Sequence, residues 1–139
     1  MSHTAKALVL HCMDYRFIHE IVHFLKQQGL IDQYDDVSAA GAVKNIVDPS
    51  EPTDREFILR QIDIAQRLHS IEQVVLINHR DCGAYGKIFA TPDEETRRHH
   101  ADLRHAKRLV AERFPGLEIK TYLATYNGPH NVSFEQIGG

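Results

Sequence analysis

Two short clusters hold the side chains of this sequence most able to do chemistry. They are Cys12-Met13-Asp14-Tyr15-Arg16 near the start and His79-Arg80-Asp81-Cys82-Gly83 past the middle, and both cysteines of the chain lie in them. The thiolates of Cys12 and Cys82 with the imidazole of His79 make an incomplete tetrahedral set for Zn2+. This is the catalytic kind, which keeps a fourth position for water or substrate. Thiolate and imidazole donors suit zinc because the ion is borderline soft and has no geometric preference from its d-electrons. His79 and Cys82 stand three residues apart, so a strand end and the turn after it can grip one ion. Cys12 has to be brought to them by the fold. Two other readings stay open at this level. Both cysteines are buried free thiols, as is common in cores, with His79 a satisfied strand-end residue; or they form a redox pair, against which the lack of a Cys-x-x-Cys motif counts.

Asp14 and Arg16 follow Cys12 two residues apart. A guanidinium matches a carboxylate through two parallel hydrogen bonds, and such pairing would keep Asp14 ionised. Beside a metal-polarised water, that carboxylate could accept the water's proton in a hydrogen bond and so favour a hydroxide-like form; it could also swing onto the metal and close the fourth position. The plainer reading is a helix N-terminal acid, favoured by the helix dipole, beside a solvated arginine.

The elements that must position these residues can be read from hydrophobic spacing. Ala5 to His11 is short, apolar and branched, as a buried strand is. Phe17 to Gln28 carries Ile18, Ile21, Val22 and Leu25 on one helical face, and Gly29 ends it. Asp36 to Ala40 is a weaker second strand, followed by a loop with Gly41, Asn45, Pro49 and Pro52. Thr53-Asp54-Arg55-Glu56 has the form of a capping box and opens a helix with Ile58, Ile62, Ala65 and Leu68 inward. Val74 to Asn78 is the clearest buried strand. A third long helix over Glu94 to Phe114 turns Leu103, Ala106, Val110 and Phe114 inward. Pro115-Gly116 stops it, and Leu117 to Ala124 is a fourth strand. After the turn Asn127-Gly128-Pro129, Val132 to Ile137 is a candidate edge strand.

Strands alternating with helices specify an α/β fold: a parallel sheet of about four strands flanked by helices. An order of 2-1-3-4 makes the first and third strands neighbours, with the reversal of strand order between them. Ligands of such sheets collect beyond the carboxyl ends of the strands at that reversal, which is where Cys12 and His79 would meet.

At 139 residues, the chain has the length of one domain, expected to span 1–139. Its 42% hydrophobic and 25% charged content is that of a globular protein. A formal charge of −3 without a basic stripe gives no sign of a nucleic-acid partner. No apolar run nears the roughly 20 residues that cross a bilayer. Met1 to Lys6 leads into a strand-like run and not a cleavage site. With two cysteines better suited to thiols or metal ligands than to a disulfide, the expected compartment is the cytoplasm.

Cys-x-Asp-x-Arg followed by His-x-x-Cys-Gly resembles the β-class carbonic anhydrase family. The likeness runs through motifs from about Leu8 to Gly86 and through element order to Ala124. It implies Cys12, His79 and Cys82 as zinc ligands and Asp14 and Arg16 as the aspartate–arginine dyad beside the metal. Gly41, in Ala39-Ala40-Gly41-Ala42, falls where the family has an Ala-Gly segment after its second strand. A doubly wound sheet and a homodimer or higher homo-oligomer come with the resemblance. The chain departs from the family pattern in several places. Tyr15 stands for a serine and Asn78 for the glycine before the histidine. Val37, Ser38 and Ala39 replace an arginine and asparagine. With eleven residues before Cys12, the family's N-terminal arm and its bicarbonate-holding glutamine are expected to be missing.

The function implied is a zinc lyase that hydrates carbon dioxide reversibly to bicarbonate. Tyr15 and the missing bicarbonate-holding groups direct attention to a second reading, a hydrolase of carbonyl sulfide or carbon disulfide, linear molecules of similar shape. The third is a non-catalytic zinc-binding module with Asp14 closing the fourth position. Of the ten histidines, His19 and His23 lie one helical turn apart and could chelate a metal; the plainer reading places them on the partly exposed side of the first helix. His99, His100 and His105 read as a solvated helix face, from which one could shuttle protons. Tyr85, Phe89, Val43 and Ile46 flank the site as packing residues, and Tyr15 and Phe17 are candidates for a dimer interface.

Overall fold

A computed structural model describes residues 3–138; Met1, Ser2 and Gly139, included in the single-domain expectation, lie outside the described residues. Ala7-Leu8-Val9-Leu10 becomes β1 (Ala7–His11), every residue of which is buried. Such a continuous apolar run is what a strand covered on both faces requires. Its alternate side chains split between two cores. Leu8 and Leu10 join Ile58, Ile62, Leu76, Leu103 and Val110 on one face, while Ala7 and Val9 join Phe17, Ile21, Leu25, Val75 and Ile77 on the other.

The remaining elements are α1 (Ile18–Gln27), β2 (Tyr34–Ser38), α2 (Lys44–Val47), α3 (Pro52–His69), β3 (Gln73–His79), α4 (Pro92–Arg113), β4 (Glu118–Tyr126) and β5 (Val132–Gln136). A short 3-10 turn, Gly83–Tyr85, follows β3. The five strands form one sheet in the order β2-β1-β3-β4-β5. The first four run parallel, and β5 returns antiparallel to β4. This is the α/β fold read from the sequence, with the candidate edge strand present. No helix among the described residues is long and apolar enough to cross a membrane.

Several details differ from the sequence reading, each for a physical reason. β2 begins at Tyr34 and ends at Ser38, earlier than expected, because Ala39 to Gly41 are needed as the loop beneath the site. Helix α3 starts at Pro52, with Asp54 accepting the Glu51 backbone N–H at 3.3 Å, so Thr53 lies inside the first turn and is not the cap. Proline at the first helical position loses nothing, since its missing N–H would have been unpaired there. Leu68 is 65% exposed and Leu59 is buried in its stead, a rotation of the core face by about one residue. Ile18 and Val22 are also exposed, and Phe24 completes the inward face of α1.

Candidate metal centre

β1 ends at His11 and β3 at His79, two neighbouring parallel strands, so Cys12 and His79 emerge side by side at the carboxyl edge of the sheet. The chain then has to fold back to bring Cys82 to the same point. Asp81 does this with a left-handed backbone, φ +58°, a conformation that aspartate tolerates better than most residues. Across the site, Gly41 (φ +83°) and Ala42 (φ +45°) turn the loop after β2 under Cys12. Non-glycine residues held in this region cost of order 1–3 kcal/mol each and persist where the surroundings demand them.

Cys12 Sγ lies 3.9 Å from Cys82 Sγ, and the two sulfurs and an imidazole nitrogen of His79 all fall within 4.8 Å of one another. Both cysteines are free and 6% exposed. The His79 Nδ1–H donates to the Arg80 carbonyl at 2.8 Å, which leaves the Nε2 lone pair aimed at the sulfurs. That Nε2 is buried without a hydrogen-bond partner. A buried polar atom left unpaired costs about 1–3 kcal/mol, and a cation among the three donors would remove this cost. Tetrahedral Zn–S bonds of about 2.3 Å set two sulfurs roughly 3.8 Å apart, close to the separation present. The donor set therefore fits zinc.

The electrostatics agree. The hydrogen bond from the Cys82 thiol pulls the Cys12 thiol far below its ordinary range, to about 3, with His79 and the Gly41 N–H (3.5 Å from Sγ) adding to it. The same pairing, with burial, pushes Cys82 well above its ordinary value. Two thiolates so close repel each other, and both ionise together only against a cation.

Asp14 and Arg16 sit against this cluster. Arg16 donates from Nη2 to Asp14 Oδ2 at 2.7 Å, from Nε to Oδ1 at 3.1 Å, and from its backbone N–H to Oδ1 at 3.0 Å. These bonds hold the Asp14 carboxyl below the usual carboxylate range. Asp14 Oδ2 stands 3.7 Å from His79 Nε2, beside the space the three donors enclose. The guanidinium reaches further than the sequence reading allowed: it also donates to the Asp81 carbonyl at 3.0 Å and its carboxylate at 3.1 Å. Arg16 thus ties the first motif to the turn of the second. Phe17 is buried in the core with its ring tilted against that of His79 at 4.3 Å, so it is not an interface residue; Tyr15 is 87% exposed.

Sequence reasoning missed two supports. His11 donates from Nε2 to Asp36 at 2.7 Å and from Nδ1 to the Cys12 carbonyl at 2.9 Å. Burial opposes charge on this ring, but the two hydrogen bonds outweigh it and raise its pKa. Asn78 is the hub of the second. Its amide donates to the Tyr85 hydroxyl at 2.9 Å and to His99 Nδ1 at 3.0 Å, and its carbonyl accepts from Val43 N–H at 3.1 Å. The Tyr85 hydroxyl then donates to Asp102 at 2.8 Å, which Arg98 also binds. His99 is fully buried, contrary to the solvated face expected for it, because the narrow polar seam between α4 and β3 needs its ring. Burial, aided by nearby positive groups, lowers its pKa to about 4. Pairs of polar residues four apart on a charged helix, Arg98 with Asp102 and Glu95 with His99, were the available signal. His19 and His23 do not converge: His23 meets Gln27, and His19 lies near Glu20 and His130.

A cleft of about 340 Å³ opens next to Cys82, lined by Arg80, Asp81, Lys87, Phe89 and Glu95 among others. Of the three donors, Cys82 alone lines it.

Comparison with known proteins agrees with this architecture. The family model described as "Putative carbonic anhydrase" matches residues 2–133. An uncharacterized protein of Rickettsia bellii is 36% identical over 137 residues, covering 95% of this chain and 84% of its own length. Another, from Rickettsia conorii, is 36% identical over 129 residues, with 89% and 69% covered. The crystal structure of carbonic anhydrase from Streptococcus mutans aligns with a TM-score of 0.63 at 15% identity, over 99% of this chain and 84% of that one. At that identity the likeness is one of fold.

Proposed function

This chain belongs to the "Putative carbonic anhydrase" family, and on that footing we propose that it hydrates carbon dioxide reversibly to bicarbonate with a zinc ion held by Cys12, His79 and Cys82. The observation that carries the reading is the unpartnered, buried Nε2 of His79 facing two sulfurs 3.9 Å apart. Zn2+ bound there would lower the pKa of a water molecule from about 15.7 toward about 7.

The chain's own residues supply the rest. Arg16 fixes Asp14 through its backbone N–H, Nε and Nη2, which keeps the carboxylate ionised with Oδ2 3.7 Å from His79 Nε2. With the ion bound, Asp14 would accept a hydrogen bond from the attacking water and orient its lone pair at the electrophilic carbon of CO2, the released proton passing to buffer. Gly41 N–H and the Cys12 carbonyl's bond to His11 hold the first sulfur in place. The cleft beside Cys82 gives substrate a route in and product a route out. Engaged by Arg16 and outside the group of mutually close donors, Asp14 supports an open fourth position over the non-catalytic module. The assembly that goes with the reading is a homodimer or higher homo-oligomer, which sedimentation of the purified protein measures.

The test pairs metal analysis with stopped-flow CO2 hydration across pH, run in parallel with carbonyl sulfide hydrolysis. Cys12→Ser is expected to lose one equivalent of zinc together with activity, and Asp14→Asn to keep its zinc while losing at least about tenfold in rate. Full zinc occupancy in Cys12→Ser overturns the ligand assignment. Sulfide release without CO2 turnover moves the substrate to carbonyl sulfide, and stoichiometric zinc with neither activity leaves a metal-binding module.

A further inference from the structure

His19, Glu20 and His130 converge on the outside of the protein, away from the cysteines. Each offers one donor atom, and all three atoms lie within 4.8 Å of one another. His19 and Glu20 belong to the first turn of α1, and His130 comes from the turn between β4 and β5. His130 Nδ1 is 3.4 Å from Glu20 Oε1. Donors around a tetrahedral ion with bonds of about 2.1 Å sit roughly 3.4 Å apart, so this pair is already at ligand spacing. The His19 and His130 rings meet edge to face, at 6.0 Å and 88°, and a small rotation of two exposed rings closes the third side.

The surroundings favour a cation over a chance cluster. Glu20 is largely withdrawn from water, its side chain 16% exposed, whereas His130 is 82% exposed. The carboxylate's one ion-pair partner among the described residues is His130, and its oxygens accept no hydrogen bond among them. The His130 ring is presented by a set turn. Asn127 N–H donates to the Asn131 carbonyl at 2.8 Å and Asn131 N–H to the Gly128 carbonyl at 3.0 Å, and His130 itself is held at φ +58°. Little order then has to be bought on binding.

We propose that His19, Glu20 and His130 form a second site, for a divalent transition cation such as Zn2+ or Cu2+, that pins the β4–β5 turn to the start of α1. Two imidazoles and one carboxylate favour such ions over Mg2+ and Ca2+, which take oxygen ligands. The pinned turn adjoins the other centre. β4 ends at Tyr126, whose ring lies 5.6 Å under the Arg16 guanidinium and edge-on to Phe17. Occupancy of the second site therefore stiffens the wall against which Arg16 rests.

The experiment counts metal on the tag-free full chain by equilibrium dialysis against Zn2+ and follows the thermal midpoint. The proposal rests on none of the chemistry assigned to the cysteines, and the variants separate the two. Wild type is expected to bind two equivalents, His19→Ala and His130→Ala one each, and Cys12→Ser one. Zinc added beyond the first equivalent raises the midpoint of wild type and of Cys12→Ser but not of His130→Ala. Midpoints of the metal-free histidine variants should match wild type, since both side chains are exposed. Equal zinc on wild type and both histidine variants overturns the second site, as does a single equivalent on wild type that Cys12→Ser abolishes.

Discussion

Asn78 illustrates how much of the site depends on one side chain that never faces the metal position. Replacing it with alanine strands the Val43 N–H and His99 Nδ1, both buried, while the Tyr85 hydroxyl keeps its bond to Asp102. Water reaching the gap would satisfy part of this, so the expected loss is roughly 2 kcal/mol of stability, near the low end of two unpaired groups at about 1–3 kcal/mol each. Urea unfolding of Asn78→Ala against wild type measures it; a loss under about 1 kcal/mol would show that the network is not cooperative. At this scale the sequence was legible where residue type and chemistry coincide. Two cysteines and a histidine at strand ends declared themselves, and so did Asp14 beside Arg16. Asn78, His11 and His99 did not, because a polar residue that supports a site through hydrogen bonds looks in sequence like any solvated one.

At the scale of elements, the loop after β2 matters most, since it carries a backbone donor to Cys12. Gly41 and Gly29 both have left-handed backbones, φ +83° and +76°, but only Gly41 is crowded: an added Cβ would lie 3.1 Å from Ala84 Cβ and 3.3 Å from Lys44 Cβ, while Gly29 has nothing within 4 Å. Gly29→Ala should therefore cost about 1–2 kcal/mol from backbone strain alone. Gly41→Ala should cost more and also weaken zinc retention, as the loop shifts from Cys12. Unfolding midpoints with a competing chelator read both effects; equal costs and equal retention would remove the loop's role. Helices and strands were readable here from spacing, and strand order followed from the alternation of elements. The boundaries of β2 and the inward face of α3 were not, because Val37 through Ala40 and Leu59 through Leu68 have near-equivalent apolar choices that only packing decides.

For the whole molecule, two buried histidines set opposite limits on stability against pH. His99 has a pKa of about 4, below its ordinary value. Between there and about 6.5 the unfolded chain binds a proton that the folded one refuses, so stability falls as pH drops, by up to about 3 kcal/mol. His11 is shifted upward; its contribution is complete below about 6.5 and fades as pH rises through the raised value. Stability should peak near neutrality, with His99→Gln flattening the acid side and His11→Gln the alkaline side of a urea-midpoint profile. If the two profiles overlay wild type, neither ring controls the limits. The sheet order was legible at this scale, because alternating strands and helices leave few topologies; the buried charge pattern was not, because it exists only once α4 closes on β3. One consequence follows from Arg16, whose bonds to Asp14 and Asp81 join sequence segments 65 positions apart. Protein contacts alone keep the two halves in register, so stripping the ion with a chelator should leave an intact apoprotein that recaptures zinc without refolding. Zinc-finger domains, which collapse when emptied, mark the opposite extreme.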